Sequence, residues 1–215
     1  MITANELYFS YTDAPPWVLQ ALNLQVKPGD YISVVGDNGS GKSTLIRLLL
    51  AFLKPTKGSI EMATGNIGYV PQRRDATDAG FPISLYESLN AYRKLKKRPV
   101  TAIQEAVASV GLADKLHELL GNLSGGQQQK ALIARALIGK PSLVILDEPS
   151  TGIDPTSQRE IYQLLNTLNR EQGMTIVSVE HNLEAAVFNS TKIYHLHGGS
   201  GHLCSPERFR QEYLA

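Results

Sequence analysis

The chain has 215 residues, enough for one domain with a sizeable core. Apolar residues make up 42% and charged residues 19%, which excludes global disorder, and 21 Lys and Arg against 20 Asp and Glu argue against a dedicated nucleic-acid coat. The single cysteine, Cys204, has no internal partner, which suits a reducing compartment, and no apolar run reaches the roughly 18 residues of a membrane span. Residues 1–7 lack a basic stretch followed by an apolar one, so no signal peptide is expected. Any membrane-spanning part must come from another chain.

Residues 7–11 and 22–26 read as short strands around a loop with Asp13, Pro15 and Pro16. The apolar run at residues 31–35 predicts a buried strand, which leads straight into Gly36, Gly39 and Gly41. Residues 42–52 read as a helix closed by Pro55 and Gly58, and residues 67–70 as a strand before Pro71. Helical pattern dominates residues 73–140, with segments at 85–95, 100–110, 114–120 and 127–138. A buried strand follows at 143–146, an amphipathic helix at 158–172, a strand at 175–179 and a helix at 183–188. Residues 193–197 and 201–204 read as a closing hairpin before a short tail helix. Alternating strands and helices predict an α/β fold with a mostly parallel sheet, interrupted by the helical block.

Gly36-Asp37-Asn38-Gly39-Ser40-Gly41-Lys42-Ser43 fits the phosphate-loop pattern G-x-x-x-x-G-K-[ST]. Its glycines let backbone N–H groups close around phosphate oxygens, and the following helix points its N-terminal dipole at them. Lys42 supplies a compact positive charge for the β- and γ-phosphates, and the Ser43 hydroxyl can reach Mg²⁺. Gly36, Asn38, Gly39, Ser40, Gly41, Lys42, Ser43 and Thr44 are therefore candidate nucleotide-binding residues. Leu143-Val144-Ile145-Leu146-Asp147-Glu148 is an apolar strand ending in two acids. Beside a phosphate loop, Asp147 can hold Mg²⁺, usually through water. Glu148, one residue further out, can polarise the water that attacks the γ-phosphate.

Leu123-Ser124-Gly125-Gly126-Gln127 narrows the class further, since such a string arises by chance in about one chain of this length in a few thousand. On this string, and on the order of phosphate loop, signature and Asp147-Glu148, the chain resembles the ATP-binding cassette (ABC) ATPases from end to end. The resemblance implies a P-loop NTPase, RecA-like core with N-terminal antiparallel strands and an inserted helical subdomain. It places a single domain over 1–215, with residues 1–72 and 141–215 as catalytic core and 73–140 as helical subdomain. It implies that Tyr11 stacks on adenine, with a plain strand aromatic as the alternative. Gln72 matches the glutamine that touches Mg²⁺ and the attacking water. His181 matches the histidine on the γ-phosphate. Thr151-Gly152-Ile153-Asp154 matches the loop that crosses to a second subunit. ATP and Mg²⁺ are the implied ligands.

A helix N-terminus at Ser124, Gly125, Gly126 and Gln127 is an anion site. The family implies a head-to-tail, ATP-dependent homodimer, in which Ser124 and Gly126 of one copy cap the γ-phosphate bound by the other. Lys130 stands where many relatives carry arginine, and Glu180 and Asn182 flank His181 where a hydroxyl residue and an aspartate are common. The segment Ala79-Gly80-Phe81-Pro82-Ile83-Ser84-Leu85-Tyr86-Glu87 and the run Gln127-Gln128-Gln129 look like the subfamily that powers bacterial uptake of zinc, manganese or iron, most similar to zinc-uptake ATPases of Gram-positive bacteria; the alternatives are another cargo, such as a vitamin or a lipid, or a soluble ABC ATPase outside transport. The metal-uptake resemblance implies an integral membrane permease as partner, an extracellular metal-binding lipoprotein acting indirectly, no nucleic acid, and a place on the cytoplasmic face of the plasma membrane. Phe81, Pro82 and Tyr86 would either meet the permease or pack within the helical block.

Two further features admit two readings each. Arg93-Lys94-Leu95-Lys96-Lys97-Arg98 is a solvated helix end with cations at the negative dipole end, or a contact for lipid or permease. In the closing hairpin, a four-residue turn at 198–201 would pair His197 with His202 and His195 with Cys204. All four side chains would then share one face, as Zn²⁺ donors or as a plain solvated surface.

Overall fold

The computed structural model describes residues 1–63, 66–72 and 82–214. The elements run β1 (Ile2–Phe9), β2 (Leu19–Val26), β3 (Tyr31–Gly36), α1 (Lys42–Leu49), β4 (Lys57–Met62), β5 (Ile67–Val70), α2 (Leu85–Leu95) and α3 (Thr101–Ser109). They continue α4 (Gly125–Leu137), β6 (Leu143–Asp147), α5 (Pro155–Arg170), β7 (Thr175–Val179), α6 (Leu183–Asn189), β8 (Lys192–His197), β9 (Ser200–Cys204) and α7 (Pro206–Tyr213). Six strands form one sheet in the order β5-β6-β7-β3-β8-β9, parallel except for the β8–β9 hairpin. Three more form an antiparallel sheet in the order β2-β1-β4.

The continuous apolar run of β6 follows from burial on both faces of a parallel sheet. Successive side chains point to opposite faces. Val144 and Leu146 join Tyr31 and Ile176 in a core with residues of α2 to α5. Leu143 and Ile145 join Ile32, Val34 and Val177 in a second core, closed by α1 and the three-stranded sheet. A third, smaller core packs Val35, Ile193, Ala186, Val187 and Phe209 under α6 and α7. The parallel register places Asp147 beside Val179 and Val179 beside Val34, so the carboxyl ends of β6, β7 and β3 lie together. That edge is where open α/β sheets bind ligands.

Four expectations need correction. β4 was not expected, because five of its six side chains are exposed and it lacks apolar alternation; its pairing with β1 makes it a strand. Residues 114–120 are not one helix but carry two 3₁₀ turns, Ala113–Lys115 and Leu120–Asn122. Their carbonyls are taken instead by the start of α2, with Leu85 N–H donating to Glu118 O and Tyr86 N–H to Leu116 O. α5 begins at Pro155, ahead of residue 158, because Asp154 caps it and proline suits the first helical position. The closing hairpin turns on Gly198 and Gly199 alone, both at positive φ, as a two-residue turn of this type requires. His195 therefore opposes His202, and Cys204 opposes Ile193.

Candidate nucleotide site

The loop between β3 and α1 is built by close approach. A Cβ at Gly36 would run into the Leu196 carbonyl oxygen, and one at Gly41 would lie 2.6 Å from Leu19 Cδ2. Gly41 also has φ +102, which side-chain-bearing residues rarely adopt. Lys42 is buried and folds back over the loop, its Nζ donating to Gly36 O at 2.7 Å and Asp37 O at 2.9 Å. Burial holds its pKa below the usual lysine value, against the pull of Glu148, Asp37 and Asp147. Ser43 is exposed at the start of α1. Thr44 Oγ1 lies 3.3 Å from the Tyr11 hydroxyl. Tyr11 is 61% exposed and meets Phe9 edge-on, so its ring presents a free face. Asn38 and Gly39 are exposed.

Two polar atoms here are buried and unpartnered among the described residues, Ser40 Oγ and Asp147 Oδ1. Such groups are costly unless a ligand satisfies them. Burial, then the neighbouring Glu148 charge, raise the Asp147 pKa; Arg47, His181 and Lys42 oppose them. The unpartnered Asp147 oxygen, the exposed Ser43 hydroxyl and the exposed Gln72 amide are hard oxygen donors of the kind that fit Mg²⁺.

Glu148 is the convergence point. Gln72 Nε2 donates to its Oε2 at 2.6 Å, His181 Nε2 lies 2.6 Å from its Oε1, and Thr151 Oγ1 donates to Oε2 at 3.3 Å. Its backbone takes φ +53, a left-handed value uncommon outside glycine. Strained backbone of this kind is concentrated at functional sites. The turn is held by the Glu148 amide donating to Val179 O.

The signature residues stand apart from this cluster. Ser124 caps α4 in a reciprocal box with Gln127, each side chain bonding the other's backbone N–H. A Cβ at Gly126 would run into the Ser157 side chain, so this glycine permits α4 and α5 to touch. Gly125 opens α4. Gln128 Nε2 bonds Leu120 O and Leu123 O, fastening the preceding loop. Lys130 pairs with Glu160 of α5 at 2.7 Å. Among the described residues no hydrogen bond links Ser124, Gly125, Gly126 or Gln127 to the phosphate loop. Asp154 accepts from the Thr156 and Ser157 amides as the cap of α5, which lowers its pKa.

Of the residues expected around the hairpin, His195 packs against Phe209 and Tyr213 of α7, and Cys204 is buried. Among the described residues no group of three or more His, Cys, Asp or Glu is placed to hold a metal ion, so the zinc reading of the hairpin fails. The shorter turn sets Cys204 beside Ile193, so the cysteine no longer opposes a histidine. In the basic run, Arg93 bonds the Arg98 carbonyl and Lys96 lies over the Tyr92 ring, as in an ordinary helix end. Phe81 lies outside the described residues; Pro82 is exposed, and Tyr86 packs half-buried against the helical core. Sequence reasoning missed the weight of Glu180. Its signal was an acid directly after the apolar strand at residues 175–179.

A phosphate loop at the carboxyl edge of a parallel sheet, faced by a strand-end acid pair, defines a P-loop nucleotide-hydrolysing fold. Residues 19–151 match the ABC transporter family, and the chain belongs to it as an ATP-binding, ATP-hydrolysing cassette. It is 47% identical over 207 residues to a "Probable metal transport system ATP-binding protein" of Treponema pallidum, covering 96% of this chain and 87% of that one. It is 33% identical over 196 residues to the high-affinity zinc uptake system ATP-binding protein of Bacillus subtilis, covering 84% of each. Among solved structures it resembles cbiO1 from Clostridium perfringens, part of the ABC transporter complex cbiONQ (TM-score 0.88, 26% identity, 98% of this chain and 90% of that one). It also resembles a dimeric bacterial ABC transporter cassette (TM-score 0.80, 26% identity, 96% and 99%). Among the described residues no helix is long and apolar enough to cross a membrane.

Proposed function

We propose that this chain is the MgATP-hydrolysing subunit of a bacterial importer for a divalent metal ion, zinc in the first instance. The observation that carries the chemistry is the convergence of Gln72, His181 and Thr151 on the Glu148 carboxylate, beside Lys42 and Asp147. Lys42 and the loop Gly36–Ser43 hold the β- and γ-phosphates, and Tyr11 stacks on adenine. Ser43, Asp147 and Gln72 would hold Mg²⁺, which when bound would neutralise phosphate charge. Glu148 accepts the proton of the attacking water, while His181 and Gln72 fix its orientation. Residues 73–140 act as a helical lobe on a core of residues 1–72 and 141–215.

Ser124, Gly125, Gly126 and Gln127 have the form of an anion site, and among the described residues no hydrogen bond ties them to the phosphate loop of their own chain. A head-to-tail second copy supplies a phosphate, and Asp154 and its loop face the same partner. ATP then holds two copies together, and hydrolysis lets them part, shifting a separate membrane permease between its two states. An extracellular lipoprotein delivers the metal, and this chain sits at the cytoplasmic face of the plasma membrane. The cargo reading is supported by the metal- and zinc-transport relatives.

The test is uptake of radioactive zinc and of manganese in cells with and without this gene, under metal limitation. Loss of zinc uptake alone is expected. Loss of manganese uptake alone would correct the cargo, and no change in either would remove the metal-import reading.

A further inference from the structure

β7 leads into a carboxyl group that no apolar strand calls for. Glu180 is 1% exposed. Ser178 Oγ donates to its Oε1 at 2.5 Å, and the Tyr162 hydroxyl of α5 donates to its Oε2 at 2.8 Å. The Tyr162 oxygen lies 2.8 Å from Ser150 Oγ, also buried. An ionised carboxylate only accepts hydrogen bonds. The Tyr162 proton is therefore committed to Glu180, and Ser150 must donate to Tyr162. Burying such a chain of polar groups costs more than filling the space with apolar side chains, so mere packing does not account for it.

Both ends of the chain lead to the same carboxylate. Ser150 lies in the loop that Gln158 Nε2 also pins, through Ser150 O at 2.9 Å and Ile153 O at 3.1 Å. The next residue, Thr151, bonds Glu148 through its hydroxyl, and its amide donates to Glu148 O. On the other side, Glu180 sits between Val179, whose carbonyl accepts the Glu148 amide, and His181, which contacts Glu148 Oε1. Its own amide is tied to Val34 O of β3 at 3.0 Å.

We propose that Glu180 is a positioning residue for hydrolysis: through Tyr162 and Ser150 it holds the loop at residues 149–154, and through Val179 and His181 it holds the Glu148 carboxylate in one orientation. The proposal rests on Glu148 being the base. It carries a pH signature. Burial pushes Glu180 up to about 7; the bonds from Ser178 and Tyr162 oppose this, and the Glu148 charge adds to it. Tyr162 from α5, Tyr31 from β3 and Glu148 at the end of β6 are the titratable groups that interact with it. Protonated Glu180 must donate a bond. Donation to Tyr162 would reverse the Tyr162–Ser150 bond and free the Ser150 hydroxyl proton from its place.

The test is steady-state hydrolysis of MgATP by the full chain, as a function of pH, for Glu180→Gln, Tyr162→Phe and both together, with Glu148→Gln as reference. Glu180→Gln and Tyr162→Phe should each lower kcat at least about 10-fold and leave KM within about threefold, as misplacement of a reacting group does. The two losses should not multiply, since they cut one chain. An inflection near pH 7 in the native profile should vanish in Glu180→Gln. Tyr162→Phe keeps the ring packing, so it separates lost positioning from lost folding. Normal kcat and an unchanged pH profile in Glu180→Gln, beside an inactive Glu148→Gln, would overturn this proposal alone. So would losses that multiply, or a lowered Tm with kcat intact. An active Glu148→Gln would overturn the base assignment and this proposal together.

Discussion

Glu148 holds its place by a bargain between strain and contact. A residue at φ +53 costs on the order of 1–3 kcal/mol, which the bonds from Gln72, His181 and Thr151 and the amide bond to Val179 offset. Glu148→Gln keeps the shape and removes the proposed proton acceptor. It should retain ATP binding while kcat falls at least about 100-fold, the scale for losing a general base; steady-state hydrolysis beside a nucleotide-binding isotherm measures both. Glu180 makes a separate statement about stability. Its pKa is raised from 4.5 to about 7, so the folded state binds its proton more tightly than the unfolded state does. The stabilisation from that proton is complete below about pH 4.5 and is lost as pH rises through about 7. Over that window the native chain should lose on the order of 3 kcal/mol relative to Glu180→Gln, which has no proton to release. Denaturant midpoints at pH 5 and pH 8 for both chains would show it, and parallel shifts would refute it.

At the scale of elements, α4 and α5 are joined by a glycine contact and a salt bridge, Gly126 on Ser157 and Lys130 on Glu160. The exposed half of that pair, Glu160, limits the ion pair to at most about 1 kcal/mol. The close approach matters more. Gly126→Ala gains about 0.8–1 kcal/mol of helix propensity, but its methyl group meets Ser157 Cβ and Oγ, and overpacking costs about 1–3 kcal/mol. A net loss of stability is expected, with partial recovery in Gly126→Ala/Ser157→Gly. A Tm at or above that of the native chain for the single variant would show that the helices part freely.

For the whole molecule, the Glu148 carboxylate and the signature helix have different partners within one chain. Glu148 is enclosed by its own Gln72, His181 and Thr151, whereas the capped start of α4 is turned to its own Gln127. In the proposed function a second copy completes the arrangement. Glu148→Gln, expected to bind ATP without consuming it, should therefore sediment as a dimer with MgATP and as a monomer without it. A monomer under both conditions would remove the head-to-tail reading.

The sequence alone determined the class of chemistry and most of the parallel sheet. Residues 67–70 (Ile-Gly-Tyr-Val) and 175–179 (Thr-Ile-Val-Ser-Val) were legible to the residue because β-branched and aromatic residues predominate in both runs and suit a pleated, buried strand. The phosphate loop was legible because only glycines permit its backbone, and Gly36 and Gly41 are closely walled by Leu196 and Leu19. β4 was not legible, because its side chains face solvent and its residues pair with β1 residues 49 to 60 positions away in the chain. Nor was the hairpin register, which one choice of turn length decides for every pair along it. The Glu180–Tyr162–Ser150 chain was out of reach as well. Its members belong to a strand end, a helix face and a loop, and only the packing of α5 on β7 brings them within hydrogen-bond distance. Local physics is written in neighbouring residues, but contacts between distant segments exist only once the core has set them side by side.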